Sequence, residues 1–188
     1  TIILLPMLLI IMQKETGSAL VYLAFILVLY REGLSGSILF AGLCAVIYFV
    51  LGIRFSEVMI ADTPTSIGQF VVLLLILLFS IAMIGIYRKK WKLVRNFAII
   101  LGTAVITSYI ISVYFIQFNL IYILIGLGVL LAGYLIFLSF KERHLSYLYI
   151  SLFMLASTAF LYSSNYFFND VLQPHQQIRI KVLLGMED

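Results

Sequence analysis

Residues 66–95 read SIGQFVVLLLILLFSIAMIGIYRKKWKLVR. The part from 66 to 87 is one apolar run, and a bilayer's hydrocarbon core needs about 20 apolar residues in a helix rising about 1.5 Å per residue. The part from Arg88 to Arg95 is a burst of cations with Trp91 inside it. An apolar run that ends on Tyr87, Trp91 and several basic residues is the pattern of a membrane-spanning helix stopped at a headgroup layer. There cations meet lipid phosphates and amphipathic rings settle. This basic run is read as a topology anchor.

The pattern repeats outward in both directions. Apolar stretches at 1–12, 17–30, 34–53, 93–116, 119–140 and 145–168 are separated by short charged or polar breaks. Across 188 residues the chain is 64% apolar and 11% charged, against roughly 45–50% and 25% in soluble domains. Its mean hydropathy is +1.16. These values exclude a soluble domain. The net charge of +4 is spread over short loops, so no basic domain for nucleic acid is present and the charge reports on orientation. Lipid cannot satisfy backbone polar groups, so such segments must satisfy them internally as helices. The expected fold is therefore all-α: a polytopic transmembrane helix bundle of about six full spans plus a truncated first one. A single transmembrane domain covers 1–188. The stretch 1–12 reads as half a helix, with no basic leader or cleavage site of a secretory signal, and the chain as part of a longer protein. Cys44, alone in an apolar run, reads as a small packed hydrophobe.

Alternating span direction sorts the loops into two sets of different charge. One carries Arg31, Arg88, Lys89, Lys90, Lys92, Arg95, Lys141 and Arg143 against Glu32 and Glu142; the other carries Lys14, Arg54, Arg179 and Lys181 against Glu15, Glu57, Asp62, Asp170, Glu187 and Asp188. Lysine and arginine accumulate on cytoplasmic loops. Residues 88–95 and 141–144 are thus expected inside, and residues 13–18 and 169–188 outside.

Familiar signals of soluble enzymes are absent: no Gly-rich phosphate loop, His-Glu-x-x-His, Cys pair or Gly-x-Ser-x-Gly. His144 and His175 are expected on opposite faces and cannot share a metal. Two polar breaks on the outer side remain. Gln13, Lys14, Glu15, Thr16 and Gly17 interrupt two apolar runs, and ionisable groups at membrane depth are expensive enough to suggest use. The alternative is an interfacial turn whose charges reach water. The second break is the tail, LQPHQQIRIKVLLGMED from 172 to 188. Pro174 suits a first helical turn, and Ile180, Leu183 and Leu184 fall at i, i+3 and i+4, as in a short amphipathic outer helix. Such a helix can be a plain surface anchor. It can also turn Arg179 and Lys181 toward an anionic headgroup, with Glu187 or Asp188 as a general base on a sugar hydroxyl.

The two breaks together resemble a known family. The segment Gln13-Lys14-Glu15-Thr16-Gly17-Ser18-Ala19-Leu20 is similar to the Gln-Pro-Asp-Leu-Gly-Thr-Ala segment of the SEDS proteins (shape, elongation, division and sporulation). The segment Leu172-Gln173-Pro174-His175-Gln176-Gln177-Ile178-Arg179-Ile180 resembles their Leu-x-Pro-Tyr-Gln-x-x-Arg-Ile stretch, in a form closer to the rod-shape members than to the division members. The resemblance implies a peptidoglycan glycosyltransferase of the bacterial cytoplasmic membrane. It implies lipid II as substrate and a class B penicillin-binding transpeptidase as partner, with membrane lipids around it. It implies substrate binding by Gln13, Glu15, Gln176, Arg179 and Lys181, and a catalytic Asp that is Asp188 or the residue after it, with 172–188 opening an extracytoplasmic loop. A piece ending there is expected to be inactive alone. Two departures stand out. Lys14-Glu15 replaces the family's Pro-Asp, and the stretch from 54 to 144 reads as helices inserted between the two motifs. Outside this resemblance, the same features suit a transporter or flippase with a cavity lined by Gln13, Glu15 and Asn165, or a non-catalytic scaffold of the cell-wall machinery.

Overall fold

The computed structural model describes residues 33, 35–60, 63–114, 118–183 and 186. Its helices are α1 (Gly36–Arg54), α2 (Ile67–Arg88), α3 (Trp91–Tyr114), α4 (Ile121–Glu142), α5 (Leu145–Tyr166) and α6 (Pro174–Leu183), with a π-helical turn at Phe167–Val171 after α5. Among the described residues the only extended pairing is an isolated antiparallel bridge between Met59 and Ser66. Five helices are long and apolar enough to cross a membrane, the last counted through the π turn to Val171. They fall within a few residues of the stretches expected at 34–53, 66–87, 93–116, 119–140 and 145–168. The stretches expected at 1–12 and 17–30 lie outside the described residues. The chain is that of an all-α, multi-pass membrane protein.

Contacts divide the chain into two units, Thr1–Val46 and Ile47–Asp188. In the first, the described part is chiefly the beginning of α1. Its Cys44 is buried as expected. Along one face of α1, Ser37 and Ala41 are exposed and Ala45 is half-buried.

In the second unit α4 and α2 both pack on α5, and α3 packs on α2 and α4. The buried face of α5 has a seven-residue period. Tyr147, Met154, Leu161 and Phe168 form one line and Ile150, Ser157 and Ser164 a second. Two such lines make a seam that follows a neighbouring helix, and serines in it let backbones approach closely. Val72 and Ile76 of α2 and Leu124 and Leu135 of α4 are likewise buried. Close approach is most demanding at Gly68, where a Cβ would lie 2.7 Å from the Gly52 carbonyl oxygen and 3.0 Å from that of Leu51. Only glycine fits there without a shift.

Large apolar residues such as Ile106, Leu130 and Phe140 are 61%, 71% and 75% exposed. In water this would be a liability; on spans it is the lipid-facing surface. α3 is the least covered of the five candidate spans.

Two tight links, Lys89–Lys90 and Arg143–His144, reverse the chain at one end of the bundle. Each begins with a basic residue in the left-handed region, Lys89 at φ 53° and Arg143 at φ 52°, the usual way to close a helix. The Lys89 amide donates to the Gly85 carbonyl at 3.0 Å.

Candidate functional site

Among the described residues the charged groups collect at the two ends of the bundle, as a chain of alternating spans requires. At the basic end, Glu142 closes α4 and accepts hydrogen bonds from Lys90 Nζ, from Tyr147 Oη at 3.1 Å and from Arg88 Nη2 at 3.5 Å. The Arg88 guanidinium also lies 5.0 Å from the Tyr147 ring centre, and Lys90 Nζ 5.9 Å. The hydrogen bond to Glu142 holds the Lys90 ammonium above the usual lysine range, against the opposing pull of desolvation. Arg88 and Lys90, expected only as topology anchors, therefore also clamp the α2–α3 link to the end of α4 and the start of α5.

The opposite end is built from the loop after α1, the start of α4, the π turn and α6. The loop is closely knit. Ile67 donates its amide to the Val58 carbonyl at 2.8 Å and Gly68 to that of Phe55 at 3.0 Å, while Ser66 Oγ donates to the Ser56 carbonyl at 3.0 Å. Thr65, fully buried, accepts the Leu120 amide on its Oγ1 at 2.9 Å and so fastens the loop to the start of α4.

The tail helix is joined to this scaffold in two ways. Lys181 Nζ reaches Glu57 Oε1 at 2.8 Å across 124 residues of sequence. Gln177 Nε2 donates to the carbonyls of Phe168 at 2.8 Å, Leu172 at 3.1 Å and Asn169 at 3.3 Å. The wide π turn, closed by Leu172 N to the Phe167 carbonyl at 3.1 Å, leaves carbonyls without helical partners, and this amide gathers them. Such turns occur frequently at functional sites.

The expected site residues have different fates here. Gln176 caps its own helix: its Oε1 accepts the Gln173 amide at 3.1 Å, the returning half of a capping box with Pro174 in the first turn. Its NH2 group makes no hydrogen bond among the described residues. Lys181 shares its charge with Glu57. Arg179 is exposed and makes no ion pair or side-chain hydrogen bond among the described residues. Gln13, Glu15, Glu187 and Asp188 lie outside the described residues. Of the expected apolar stripe Ile180 is half-buried, while Ile178 and Val182, which are not part of it, are exposed. Leu184 of the expected stripe lies outside the described residues.

Glu57 had escaped assignment, and Asn165, expected only as a cavity-lining residue of a transporter, also lies toward this end. Glu57 sits in the stretch expected as an insertion, and no local pattern announces a partner so far along the chain. Asn165, two residues before the π turn, has a buried Nδ2 with no hydrogen-bond partner among the described residues; a Cβ at Gly52 would lie 3.9 Å from its Oδ1. Leaving such a group unpaired costs about 1–3 kcal/mol. No family model, curated protein or solved structure matches this chain.

Proposed function

We propose that the complete protein is a SEDS peptidoglycan glycosyltransferase of the RodA type. It polymerises lipid II on the outer face of the bacterial cytoplasmic membrane, supporting cell elongation and shape together with a class B penicillin-binding transpeptidase. The observation that carries this reading is the form taken by the Pro-His-Gln-Gln-Ile-Arg-Ile segment. It is a capped helix immediately after the last span, tied to the π turn through Gln177 and to the loop after α1 through Lys181, with Arg179 exposed and in no ion pair among the described residues.

The chemistry suits that arrangement. In glycan polymerisation an acceptor sugar hydroxyl attacks the anomeric carbon of a donor, and the bond from that carbon to the lipid pyrophosphate breaks. The leaving group gains negative charge, and a guanidinium already held near it stabilises that charge more than it stabilises the ground state. Arg179 takes this role, Lys181 adds a cation restrained by Glu57, and Gln176 offers its amide donors. The base that accepts the hydroxyl proton is a carboxylate, assigned to Asp188 or the residue after it. Gln13 and Glu15 complete the substrate contacts on this reading. Apolar exposed faces such as that of α3 offer the polyprenyl chain a place to lie.

Transport of a lipid-linked precursor is the second reading, and the unpaired amide of Asn165 favours it, since a cavity wall needs polar groups without protein partners. Purified complete protein distinguishes the two. Glycan polymer formed from lipid II in detergent supports the glycosyltransferase. Lipid movement across liposomes without polymer replaces it with the transporter.

A further inference from the structure

At the basic end a cleft of about 510 Å³ is bounded by Lys89, Lys90, Trp91, Lys92, Leu93 and Asn96. An apolar groove of about 400 Å³ runs between α2, α3 and α4, with Leu77, Ile81, Phe97, Leu101, Leu131 and Tyr134 along it. Asn96 lines both, so the cleft and the groove are neighbours on α3. Each lies within the roughly 300–1,000 Å³ typical of ligand sites. The groove is open on the exposed face of Ile100, a residue turned to lipid, and is floored by buried leucines of α2, α3 and α4.

The charge at the mouth is unbalanced. α3 begins with no acidic residue in its first turn, although a helix N-terminus carries partial positive charge. Lys89, Lys90 and Lys92 crowd that same terminus. Glu142 is the nearby carboxylate, and it is engaged by Lys90, Arg88 and Tyr147. Lys89 and Lys92 make no ion pair among the described residues. The mouth has the charge to take a phosphate, an anion that helix N-termini favour. A saturated or unsaturated hydrocarbon chain completes the groove, which presents little besides hydrocarbon and the edge-to-face pair of Phe97 and Tyr134, whose ring centres are 5.5 Å apart.

We propose that α2, α3 and α4 hold one anionic phospholipid of the cytoplasmic leaflet. Its phosphate lies between Lys89, Lys92 and the start of α3, Trp91 lies at headgroup level, and one acyl chain follows Phe97 and Leu101 into the groove. Diffuse attraction of a polybasic run to an acidic surface explains the lysines but not the apolar groove beside them. The inference is independent of the outer-face reaction and assigns a role to helices that the family resemblance leaves unexplained.

The test uses the complete protein, delipidated in detergent, with binding followed by native mass spectrometry and thermal shift. The probes are phosphatidylglycerol, phosphatidylcholine and glycerol 1-phosphate. Phosphatidylglycerol is expected to bind and to raise the melting temperature, with phosphatidylcholine weaker and glycerol phosphate without effect. Replacing Lys89 and Lys92 by Gln should weaken phosphatidylglycerol binding roughly tenfold or more. Ile100→Trp, which fills the groove from its exposed side, should weaken it while leaving every charge in place. Equal binding of the two lipids, or an effect of glycerol phosphate alone matching the whole lipid, overturns the proposal. So does full binding by either variant: loss in the lysine variant alone means surface attraction only, and loss in Ile100→Trp alone means a neutral lipid groove.

Discussion

At the scale of single residues, Gln177 has more hold on the candidate site than the residues a motif reading selects. Its amide is the joint between the π turn and α6. Gln177→Ala removes three contacts to carbonyls that have no other helical partner, and should lower stability by about 1–3 kcal/mol. The loss should be local: limited proteolysis between α5 and α6 accelerates well before the bundle melts. Unchanged cleavage would contradict the assigned role. Lys181 and Glu57 form the second joint, but Glu57 is 65% exposed at its side chain. Breaking that pair by Glu57→Gln should therefore cost at most about 1 kcal/mol, read as a small fall in melting temperature in detergent. The presence of Arg179, Lys181 and Gln176 in one polar tail was legible in the sequence. Their division of labour was not, because a cap and an ion pair depend on rotamers and on a partner far away in the chain.

At the scale of elements, the spans were legible to within a few residues because hydrocarbon thickness imposes their length and any charge ends them. Which face of each span is buried was far less so. When lipid and core are equally apolar, hydropathy has no period to reveal, and the seven-residue lines of α5 stand out only once its neighbours are in place. The same uniformity hid the importance of Gly68 among the glycines. Gly68→Ala should destabilise the bundle by about 1–3 kcal/mol through overpacking against the end of α1, seen as a lower melting temperature in detergent. Gly128→Ala is the matched control. Its Cβ would meet Leu77 Cδ2 at 3.7 Å, an ordinary contact, so that change should be neutral or stabilising by up to about 1 kcal/mol. Equal losses at the two sites would mean that the Gly68 contact is looser than described.

At the scale of the whole molecule, charge asymmetry and geometry converge. The loops that share basic residues in the sequence share one end of the bundle, joined through Glu142, while the loop after α1, the start of α4 and the tail helix share the other. Single cysteines placed at Glu57 or Arg179 in a Cys44→Ser background should react with a membrane-impermeant maleimide on intact cells. Those at Lys89 or Arg143 should react only after the membrane is opened; the reverse pattern would invert the orientation and remove the tail from the compartment where lipid II is polymerised. The central claim is that this tail helix handles the pyrophosphate of a lipid-linked sugar donor. Its most direct test is the yield of glycan polymer from lipid II by the complete purified protein, comparing the native chain with Arg179→Ala. The account predicts a loss of at least about tenfold, as expected when a charge-stabilising group is removed from a transition state. Undiminished polymer from a correctly folded Arg179→Ala protein would contradict it.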